Sequence, residues 1–552
     1  MPVINFKYSD LCTMLGENVP EQTLIDRIPM IGADMHETEG DTDDMSVEFF
    51  PDRPDLYSVE GLARALRAFL DIKPGMQTYH VAESDVEVFI DQKVKPVRPY
   101  FLCGIVRDVE ITDEFLRSLM ELQEKLHITI GRKRSKLAIG VHDLSKVKGP
   151  FTYTLKDPHS VRFVPLAMDE EMDLAEILEK NEKGREYNKL LDGMSEYPII
   201  FDSEGQILSF PPIINGRLTT VTVGKHDLFI DVTGTDRKAV KGALDIVATA
   251  LAERGGRIES VIMHDGDDVF RSPDLTPEVR GFSVAACDRF LGRDLGPENT
   301  VECLRRMGLD AVADGDVVTV SIPSVRLDIM HDVDIYEDVA TGFGFDRFGG
   351  PYKVEQTQGA LLPETTFSEN IRDMMIGLGF TEVCTLTLSN QKEEFGISGL
   401  PEVDVVRVLN PITEDHTCLR AYLMPSLVRI LRHNKHRDLP QRIFEIGYVV
   451  RDNKTVLRLC AMATASKVPF TDVKSWTESF LREAGVQYTL EQCDYPTFVP
   501  GRGASVVSDG KSIGMFGEMA PSVVVGYGIT HPIGFFEIDL EPIIAGKKDT
   551  LF

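Results

Sequence analysis

Val317-Val318-Thr319-Val320-Ser321-Ile322-Pro323 alternates apolar and polar residues, and an acidic segment follows it, Leu327-Asp328-Ile329-Met330-His331-Asp332-Val333-Asp334-Ile335-Tyr336-Glu337-Asp338. The alternation predicts a β-strand, and the spacing of apolar residues before and after it predicts two helices. Five acids stand between Asp328 and Asp338, where the chain's 88 acids in 552 residues would place about two. Helix, strand and helix together predict a small winged-helix-like unit.

The acidic segment supplies candidate ligands for a metal ion. Asp334, Glu337 and Asp338 have the spacing i, i+3, i+4, so their charges share one face of a helix and repel each other. Asp328 comes from the preceding turn. A hard cation such as Mg²⁺ is held by one or two carboxylates plus waters, which suits such an open cluster. A solvated acidic helix face is the alternative interpretation.

Length and composition predict a cytoplasmic protein of three to five domains. Charged residues make up 27% of the chain, and its eight cysteines form no CxxC pair that would indicate a zinc site or a disulfide framework. No apolar run reaches the length of a membrane span, and the first residues lack the apolar core of a signal peptide.

The net charge of −29 argues against a protein that coats nucleic acid through general electrostatics. Any contact with RNA must therefore be local. The conspicuous basic stretch contains Arg132, Lys133 and Arg134, and it is the candidate RNA-binding segment. A solvated basic loop is the alternative.

A polar pocket is predicted from two neighbouring segments. Asp231 and Thr233 are two residues apart on a predicted strand, so their side chains emerge on one face, where Ser209 and Asn215 from the preceding turn-rich segment can join them. A hairpin whose polar residues satisfy each other is the alternative interpretation. From about residue 350 onward, the segments 441–450, 457–463 and 534–540 predict an antiparallel sheet with helices.

The order of short segments along nearly the whole chain resembles one family, the beta subunit of the archaeal and eukaryotic-type phenylalanyl-tRNA synthetase. Besides the acidic segment, the resemblance is carried by Asp52-Arg53-Pro54-Asp55-Leu56, Ala138-Ile139-Gly140-Val141-His142-Asp143-Leu144, Pro211-Pro212-Ile213-Ile214-Asn215, Asp231-Val232-Thr233-Gly234-Thr235-Asp236, Asn410-Pro411, Leu439-Pro440-Gln441-Arg442-Ile443-Phe444-Glu445-Ile446-Gly447, Pro500-Gly501-Arg502 and Gly514-Met515-Phe516-Gly517-Glu518.

The resemblance implies a multidomain α+β protein of four modules. These are an N-terminal α+β module at 1–84, a β-rich tRNA editing module at 85–268, a winged-helix-like Mg-binding module at 269–349, and a degenerate class II synthetase-like antiparallel sheet core at 350–552. Arg442-Ile443-Phe444-Glu445 resembles motif two of class II synthetases, which binds ATP, but the Gly-rich third motif has no counterpart near the end of the chain.

The resemblance also implies a function. The chain is expected to join an alpha subunit in an α₂β₂ heterotetramer that uses ATP to attach phenylalanine to tRNA(Phe), with the activation site in the alpha subunit. The middle module is expected to hydrolyse tyrosine wrongly attached to tRNA(Phe), with Ser209, Asn215, Asp231 and Thr233 in its pocket. Asp328, Asp334, Glu337 and Asp338 are expected to bind Mg²⁺ shared with the alpha subunit.

Two other functions stay open from the sequence. One is a stand-alone hydrolase that edits misacylated tRNA, which would need only the middle module. The other is a noncatalytic RNA-binding or assembly subunit with an inactive pocket.

Overall fold

The structure is a computed structural model that describes residues 2–36, 43–349 and 358–547. The chain divides into two compact units, Met1–Tyr352 and Lys353–Phe552. Both units mix helices with sheets, so the multidomain α+β fold class is confirmed at this level.

The first unit begins with a small three-stranded sheet of strand order β1-β3-β2 that packs against helices. Ser58 caps helix α3, because its hydroxyl accepts a hydrogen bond from the Gly61 N–H. A side chain at Gly61 would place its Cβ 1.8 Å from the carbonyl oxygen of Asp55, so glycine is required for this close approach. The elements are β1 Val3–Lys7, α1 Tyr8–Leu15, α2 Glu21–Arg27, β2 Ala33–His36, β3 Asp44–Phe49 and α3 Val59–Phe69.

A ten-stranded mixed sheet forms the middle of this unit, with strand order β12-β11-β10-β7-β4-β14-β5-β13-β6 and β15 paired to β14. Its strands are β4 Val81–Ile90, β5 Tyr100–Ile111, β6 Leu137–Asp143, β7 Phe151–Lys156, β10 Tyr197–Phe201, β11 Ile207–Phe210, β12 Ile214–Asn215, β13 Gly224–Gly234, β14 Arg257–Asp265 and β15 Asp268–Ser272. Four helices and a two-stranded ribbon complete it: α4 Asp113–Ile128, β8 Arg162–Phe163, β9 Met172–Asp173, α5 Leu174–Lys180, α6 Glu182–Tyr187 and α7 Arg237–Glu253.

The two faces of this sheet support separate cores. Leu228 and Ile230 of β13 pack into the core that contains α7, whereas Phe229 between them packs into a core on the opposite face. The core around α7 continues into the N-terminal elements. The predicted module boundary at 84/85 falls inside β4, and the one at 268/269 falls inside β15.

A helical module with a three-stranded antiparallel sheet ends the first unit. Its elements are β16 Glu278–Ser283, α8 Val284–Leu291, α9 Gly296–Arg306, β17 Asp310–Asp314, β18 Val317–Ile322 and α10 Asp332–Phe343, and the strand order is β16-β18-β17. The strand and the acidic helix predicted from the sequence are thus present as β18 and α10. Helix α10 packs on α9 so closely that a Cβ at Gly342 would lie 2.2 Å from the carbonyl oxygen of Cys303.

The second unit is built on a seven-stranded sheet of order β19-β22-β23-β27-β26-β25-β24. All neighbouring strands are antiparallel except β19 and β22, which confirms the predicted antiparallel sheet. The elements are α11 Pro363–Gly377, β19 Thr381–Glu382, β20 Leu388–Ser389, a π-helix Lys392–Ile397, β21 Cys418–Leu419, α12 Met424–His433, β22 Gln441–Arg451, β23 Lys454–Thr464, α13 Phe470–Glu483, β24 Thr489–Gln492, β25 Phe498–Ser508, β26 Lys511–Met519, α14 Pro521–Gly526, β27 Ile533–Asp539 and α15 Glu541–Lys547.

Candidate functional site

A cavity of about 370 Å³ lies in the first unit, between strands from the two ends of the ten-stranded sheet, β11–β12 and β6–β13, and it collects polar side chains from them. Ser209 and Asn215 face each other across the β11–β12 hairpin, and Asp231 of β13 pairs with Gly140 of β6. All four residues line the cavity. Its volume is in the range of small-molecule binding pockets. Three of the four residues predicted for the polar pocket, Ser209, Asn215 and Asp231, thus line one cavity.

Ser209 is unusual among these groups. Its side chain is buried, with 2% of the residue exposed, and its hydroxyl has no hydrogen-bond partner within the described part of the chain. A buried hydroxyl without a partner is costly, so such a group in a cavity wall is suited to bind a polar atom of a ligand.

Asp231 is held by a buried histidine that sequence reasoning had not chosen as a site residue. His142 Nε2 lies 2.6 Å from Asp231 Oδ2, and because a carboxylate only accepts hydrogen bonds, Nε2–H is the donor. His142 Nδ1 lies 2.7 Å from the hydroxyl oxygen of Thr219. The chain Thr219–His142–Asp231 therefore fixes the orientation of the carboxylate that reaches the cavity. The sequence signal that points to His142 is its position near the end of the apolar strand β6.

Gly140 makes this pairing possible. A Cβ at position 140 would lie 2.1 Å from Asp231 Oδ2 and 2.6 Å from His142 Nε2. We expect Gly140→Ala to displace the Asp231 carboxylate and to reduce any hydrolysis in this cavity by about tenfold or more, while the overall fold persists. Gly281→Ala is the matched control, because Gly281 also lies in a strand and its Cβ would meet no atom closer than 3.8 Å. Equal hydrolysis rates for the two variants would contradict the importance of the pairing.

Thr233 does not line the cavity, so the structure does not bring it together with the other three residues predicted for the pocket. The side chain is fully buried, and its hydroxyl accepts a hydrogen bond from Arg98 Nε at 2.9 Å. Arg98 Nη2 donates to the Thr233 carbonyl oxygen at 2.9 Å. Burial lowers the pKa of Arg98 to about 10. The bonds between Thr233 and Arg98 thus hold β13, the strand that carries Asp231, in place.

The basic stretch divides into two parts. Arg132 and Lys133 are exposed, and together with Arg134 they have positive φ angles of 45°, 53° and 64°, a strained turn for residues with side chains. Arg134 instead lines the cavity, donates to the Ile213 carbonyl oxygen at 2.8 Å and to Glu124 at 3.1 Å, and stacks on Tyr187. Arg134 is therefore largely engaged within the protein, unlike its two neighbours.

The four acids proposed as metal ligands have different environments. Arg326 Nη2 donates to Asp328 Oδ2 at 2.6 Å and to Asp338 Oδ2 at 2.9 Å, so one guanidinium bridges both carboxylates. Asp334 Oδ2 accepts the backbone N–H groups of Met330 and His331, both at 2.7 Å, at the start of α10. Glu337 is exposed on the same helix.

The local charges agree with this arrangement. Burial raises the pKa of the Asp338 carboxyl to about 6, against the opposing attraction of Arg326. Burial also lowers the pKa of the Arg326 guanidinium, but Asp338 and Asp328 outweigh it and raise the pKa above the ordinary arginine value. A second guanidinium, that of Arg53, lies 4.0 Å from Asp328 and forms a bidentate pair with Asp55.

These residues do not fit a bound Mg²⁺ as they stand. Mg²⁺ requires carboxylate oxygens at about 2.0–2.1 Å, and the Arg326 guanidinium lies where a cation shared by Asp328 and Asp338 would bind. Among residues 2–36, 43–349 and 358–547, no three His, Cys, Asp or Glu side chains are grouped to hold a metal ion. The structure therefore does not bring the four predicted ligands together, because an arginine of the same chain neutralises two of them.

The second unit contains a compact set of buried carboxylates at the start of α12. Glu394 Oε2 accepts the backbone N–H groups of Ala421 and Tyr422 at 3.1 and 3.2 Å, and Glu537 Oε2 accepts those of Leu423 and Met424 at 3.2 and 3.0 Å. Two carboxylates thus satisfy four consecutive backbone donors at a helix N-terminus.

Glu394 predicts a pH dependence of stability. Burial, followed by repulsion from Glu537 and opposed by its hydrogen bonds, raises the pKa of Glu394 to about 7 from 4.5. Between these pH values the folded unit binds a proton that the unfolded chain does not, so the stability contribution is present below pH 4.5 and is lost as pH rises to 7. We expect Glu394→Gln to remove this loss, which amounts to up to about 3 kcal/mol in the free energy of unfolding.

Trp476 provides the measurement, because it is the chain's one tryptophan and packs edge-on against Phe380 in the second unit. Urea unfolding followed by its fluorescence at several pH values gives the free energy of unfolding. Glu402→Gln is the control, since Glu402 is exposed. If the free energy of unfolding changed with pH in the same way for Glu394→Gln and the unmodified chain, the raised pKa of Glu394 would be refuted.

Comparison with known proteins places the chain in a class and then in a family. Residues 351–540 match the family model described as the phenylalanyl tRNA synthetase beta chain CLM domain, and residues 281–345 match the tRNA synthetase B5 domain. Both models belong to aminoacyl-tRNA synthetases, a class consistent with the mixed α/β, multidomain architecture.

Full-length relatives narrow the class. The chain is 44% identical to the phenylalanine–tRNA ligase beta subunit of Methanothrix thermoacetophila over 98% of this chain and 100% of that protein, and 43% identical to that of Archaeoglobus fulgidus over 98% of each. The chain belongs to the phenylalanine–tRNA ligase beta subunit family. This confirms the resemblance carried by the sequence segments.

A solved structure agrees for the first part of the chain. The N-terminal fragment of the phenylalanyl-tRNA synthetase beta subunit from Pyrococcus horikoshii is 37% identical, with a TM-score of 0.60 over 62% of this chain and 99% of the fragment. No helix in the described ranges is long and apolar enough to cross a bilayer.

Proposed function

We propose that this chain joins an alpha subunit in an α₂β₂ ligase that uses ATP and Mg²⁺ to attach phenylalanine to tRNA(Phe), and that it hydrolyses misattached tyrosine itself. The family membership and the near-complete coverage of both relatives support the ligase role. The proposed location of the protein is the cytoplasm.

The observation that carries the editing role is the cavity with the unpartnered hydroxyl of Ser209. Tyrosine differs from phenylalanine by one hydroxyl, and an apolar pocket rejects such an addition poorly. A site with buried polar groups can instead recognise that hydroxyl. Ser209 and Asn215, paired across one hairpin, are the proposed groups that bind the tyrosyl moiety.

Asp231 is the proposed group that orients the attacking water. The water oxygen attacks the ester carbonyl carbon, the bond from that carbon to the ribose oxygen breaks, and tyrosine and a free tRNA hydroxyl leave. Asp231 reaches the cavity while His142 and Thr219 hold its carboxylate from behind. A carboxylate fixed in this way loses little freedom on binding water, which favours a productive geometry.

Arg132 and Lys133 are the proposed contacts for the acceptor end of tRNA. They are exposed next to Arg134, which lines the cavity, so a phosphate near the cavity mouth would be within their reach. Their strained turn supports a functional role. Arg134 is proposed to act as part of the cavity wall, where it already binds the 212–213 backbone.

The four modules remain a proposal, with the first boundary moved to about residue 80 because β4 begins at Val81. The first unit would hold the N-terminal, editing and winged-helix-like modules, and the second the degenerate class II core. Residues 350–357 around the last boundary lie outside the described ranges.

The activation site is proposed to lie in the alpha subunit. Two buried arginines of the second unit are paired internally: Arg420 with Glu445 at 2.9 Å, and Arg458 with Glu537 at 3.1 Å. Arg451 stacks on Tyr422. Arginines engaged in this way are not free for the phosphates of ATP.

The test is to measure phenylalanine and tyrosine attachment to tRNA by this chain alone and mixed with its alpha subunit. We expect phenylalanyl-tRNA only in the mixture, and rapid loss of added tyrosyl-tRNA. Hydrolysis by the chain alone at the same rate as the mixture would instead favour a stand-alone editing enzyme. Normal charging without any loss of tyrosyl-tRNA would favour a noncatalytic assembly subunit.

A further inference from the structure

A second and larger cavity lies elsewhere in the first unit, where its N-terminal elements, the β14–β15 region and the module of α9 and β18 meet. Its volume is about 720 Å³, roughly twice that of the cavity around Asp231, and none of the described residues lines both cavities. The volume is within the range of cavities that hold small molecules. Nothing in the proposed ligase or editing reaction uses it.

Four guanidinium groups line this cavity, those of Arg53, Arg64, Arg271 and Arg326. Each guanidinium already has partners within the chain: Arg53 pairs with Asp55, Arg271 with Glu83, and Arg326 with Asp328 and Asp338. Arg64 donates to Tyr79 and Thr249. Arginine forks bind carboxylate and phosphate oxygens with matching geometry. A guanidinium that keeps one donor unpaired therefore favours an anionic ligand.

Arg326 supplies the specific binding group. Only 7% of the residue is exposed, and its Nε and Nη2 are engaged by Asp328 and Asp338. Its Nη1 is buried and has no hydrogen-bond partner within the described part of the chain. A buried, charged donor left unpaired is unfavourable, and the oxygen of an anion would satisfy it. The same arginine that neutralises the acidic segment thus also lines the cavity.

Apolar side chains form the rest of the wall, including Met76, Phe270, Leu275, Met307 and Val325. Inorganic phosphate or sulfate would leave these surfaces in contact with water. A molecule that carries both an anionic group and an apolar body would cover them.

We propose that this cavity is a binding site for a small organic anion, with its carboxylate or phosphate on Arg326 and its apolar body against Phe270 and Leu275. The proposal does not depend on the editing role, because the two cavities share no residue in the described part of the chain.

Isothermal titration calorimetry of the full chain tests the proposal with phenylacetate, phenyl phosphate, inorganic phosphate and the neutral benzyl alcohol. We expect one aryl anion to bind at one site per chain, about tenfold or more tighter than inorganic phosphate and benzyl alcohol. Tighter binding of phenylacetate would identify the anionic group as a carboxylate, and tighter binding of phenyl phosphate would identify it as a phosphate. Equal binding of inorganic phosphate and both aryl anions would overturn the proposal, as would no binding of either aryl anion at millimolar concentration.

A variant that fills the cavity locates the site without disturbing the buried ion pairs. Leu275→Trp should weaken binding of the aryl anion by about tenfold or more, whereas Leu275→Ala, which leaves the cavity open, should retain most of it. Unchanged binding in Leu275→Trp would mean that the anion occupies another cavity and would overturn the assignment. Circular dichroism of both variants checks that the fold is retained.

Discussion

Asp231→Ala is expected to leave phenylalanine attachment by the assembled ligase unchanged and to slow removal of tyrosyl-tRNA by about a hundredfold or more. The substitution removes the one carboxylate that reaches the cavity from β13, and it leaves His142 Nε2–H without its acceptor. Activation chemistry is proposed to occur in the alpha subunit, so charging should not depend on this group. The measurement is the rate at which tyrosine is released from tyrosyl-tRNA, beside the rate of phenylalanine attachment.

Asp227→Ala is the matched control for this experiment. Asp227 lies on the same strand, pairs with Arg107 at 3.0 Å, and does not line the cavity. We expect normal removal of tyrosyl-tRNA by this variant. If Asp231→Ala clears tyrosyl-tRNA as fast as the control does, the cavity is not the editing site.

Arg326→Met is expected to lower the free energy of unfolding of the first unit by about 3–5 kcal/mol near neutral pH. Methionine preserves much of the apolar stem but leaves the buried Asp338 and the half-buried Asp328 without the guanidinium that bridges them. Hydrogen exchange of the α10 amide groups measures the effect, because Asp338 lies on this helix. The expected result is a large loss of protection in α10.

Arg289→Met is the control for Arg326→Met, since Arg289 is an exposed residue of the neighbouring helix α8. Unchanged protection of α10 in Arg326→Met would show that the two aspartates do not depend on this arginine. Addition of Mg²⁺ to the variant provides a second test. Recovery of protection with Mg²⁺ would show that Asp328 and Asp338 can hold a cation once the guanidinium is removed, which would favour the metal site predicted from the sequence.

Local patterns in the sequence were sufficient for most of the secondary structure near the site. The alternation before the acidic segment predicted β18, and the apolar runs in the last third of the chain predicted the antiparallel strands β22, β23 and β27. These predictions succeed because each strand or helix must present one face to a core. That requirement determines the spacing of apolar residues over a short stretch of the chain.

The partners of the polar residues could not be predicted in the same way. The acidic spacing of Asp328, Asp334 and Asp338 suggested a shared cation, but the structure pairs two of them with Arg326 and the third with backbone N–H groups. Alternation placed Asp231 and Thr233 on one face of β13, yet only Asp231 reaches the cavity.

The sequence by itself therefore determined the family, the main strands and helices, and the candidate polar residues Ser209, Asn215 and Asp231. Only the tertiary structure decided that His142, 89 residues away, holds Asp231, and that Arg326 occupies the centre of the acidic cluster. The physical reason is that helix and strand periodicity depends on neighbours in the chain, whereas a buried charge or hydroxyl takes whichever partner the folded chain brings within about 3 Å.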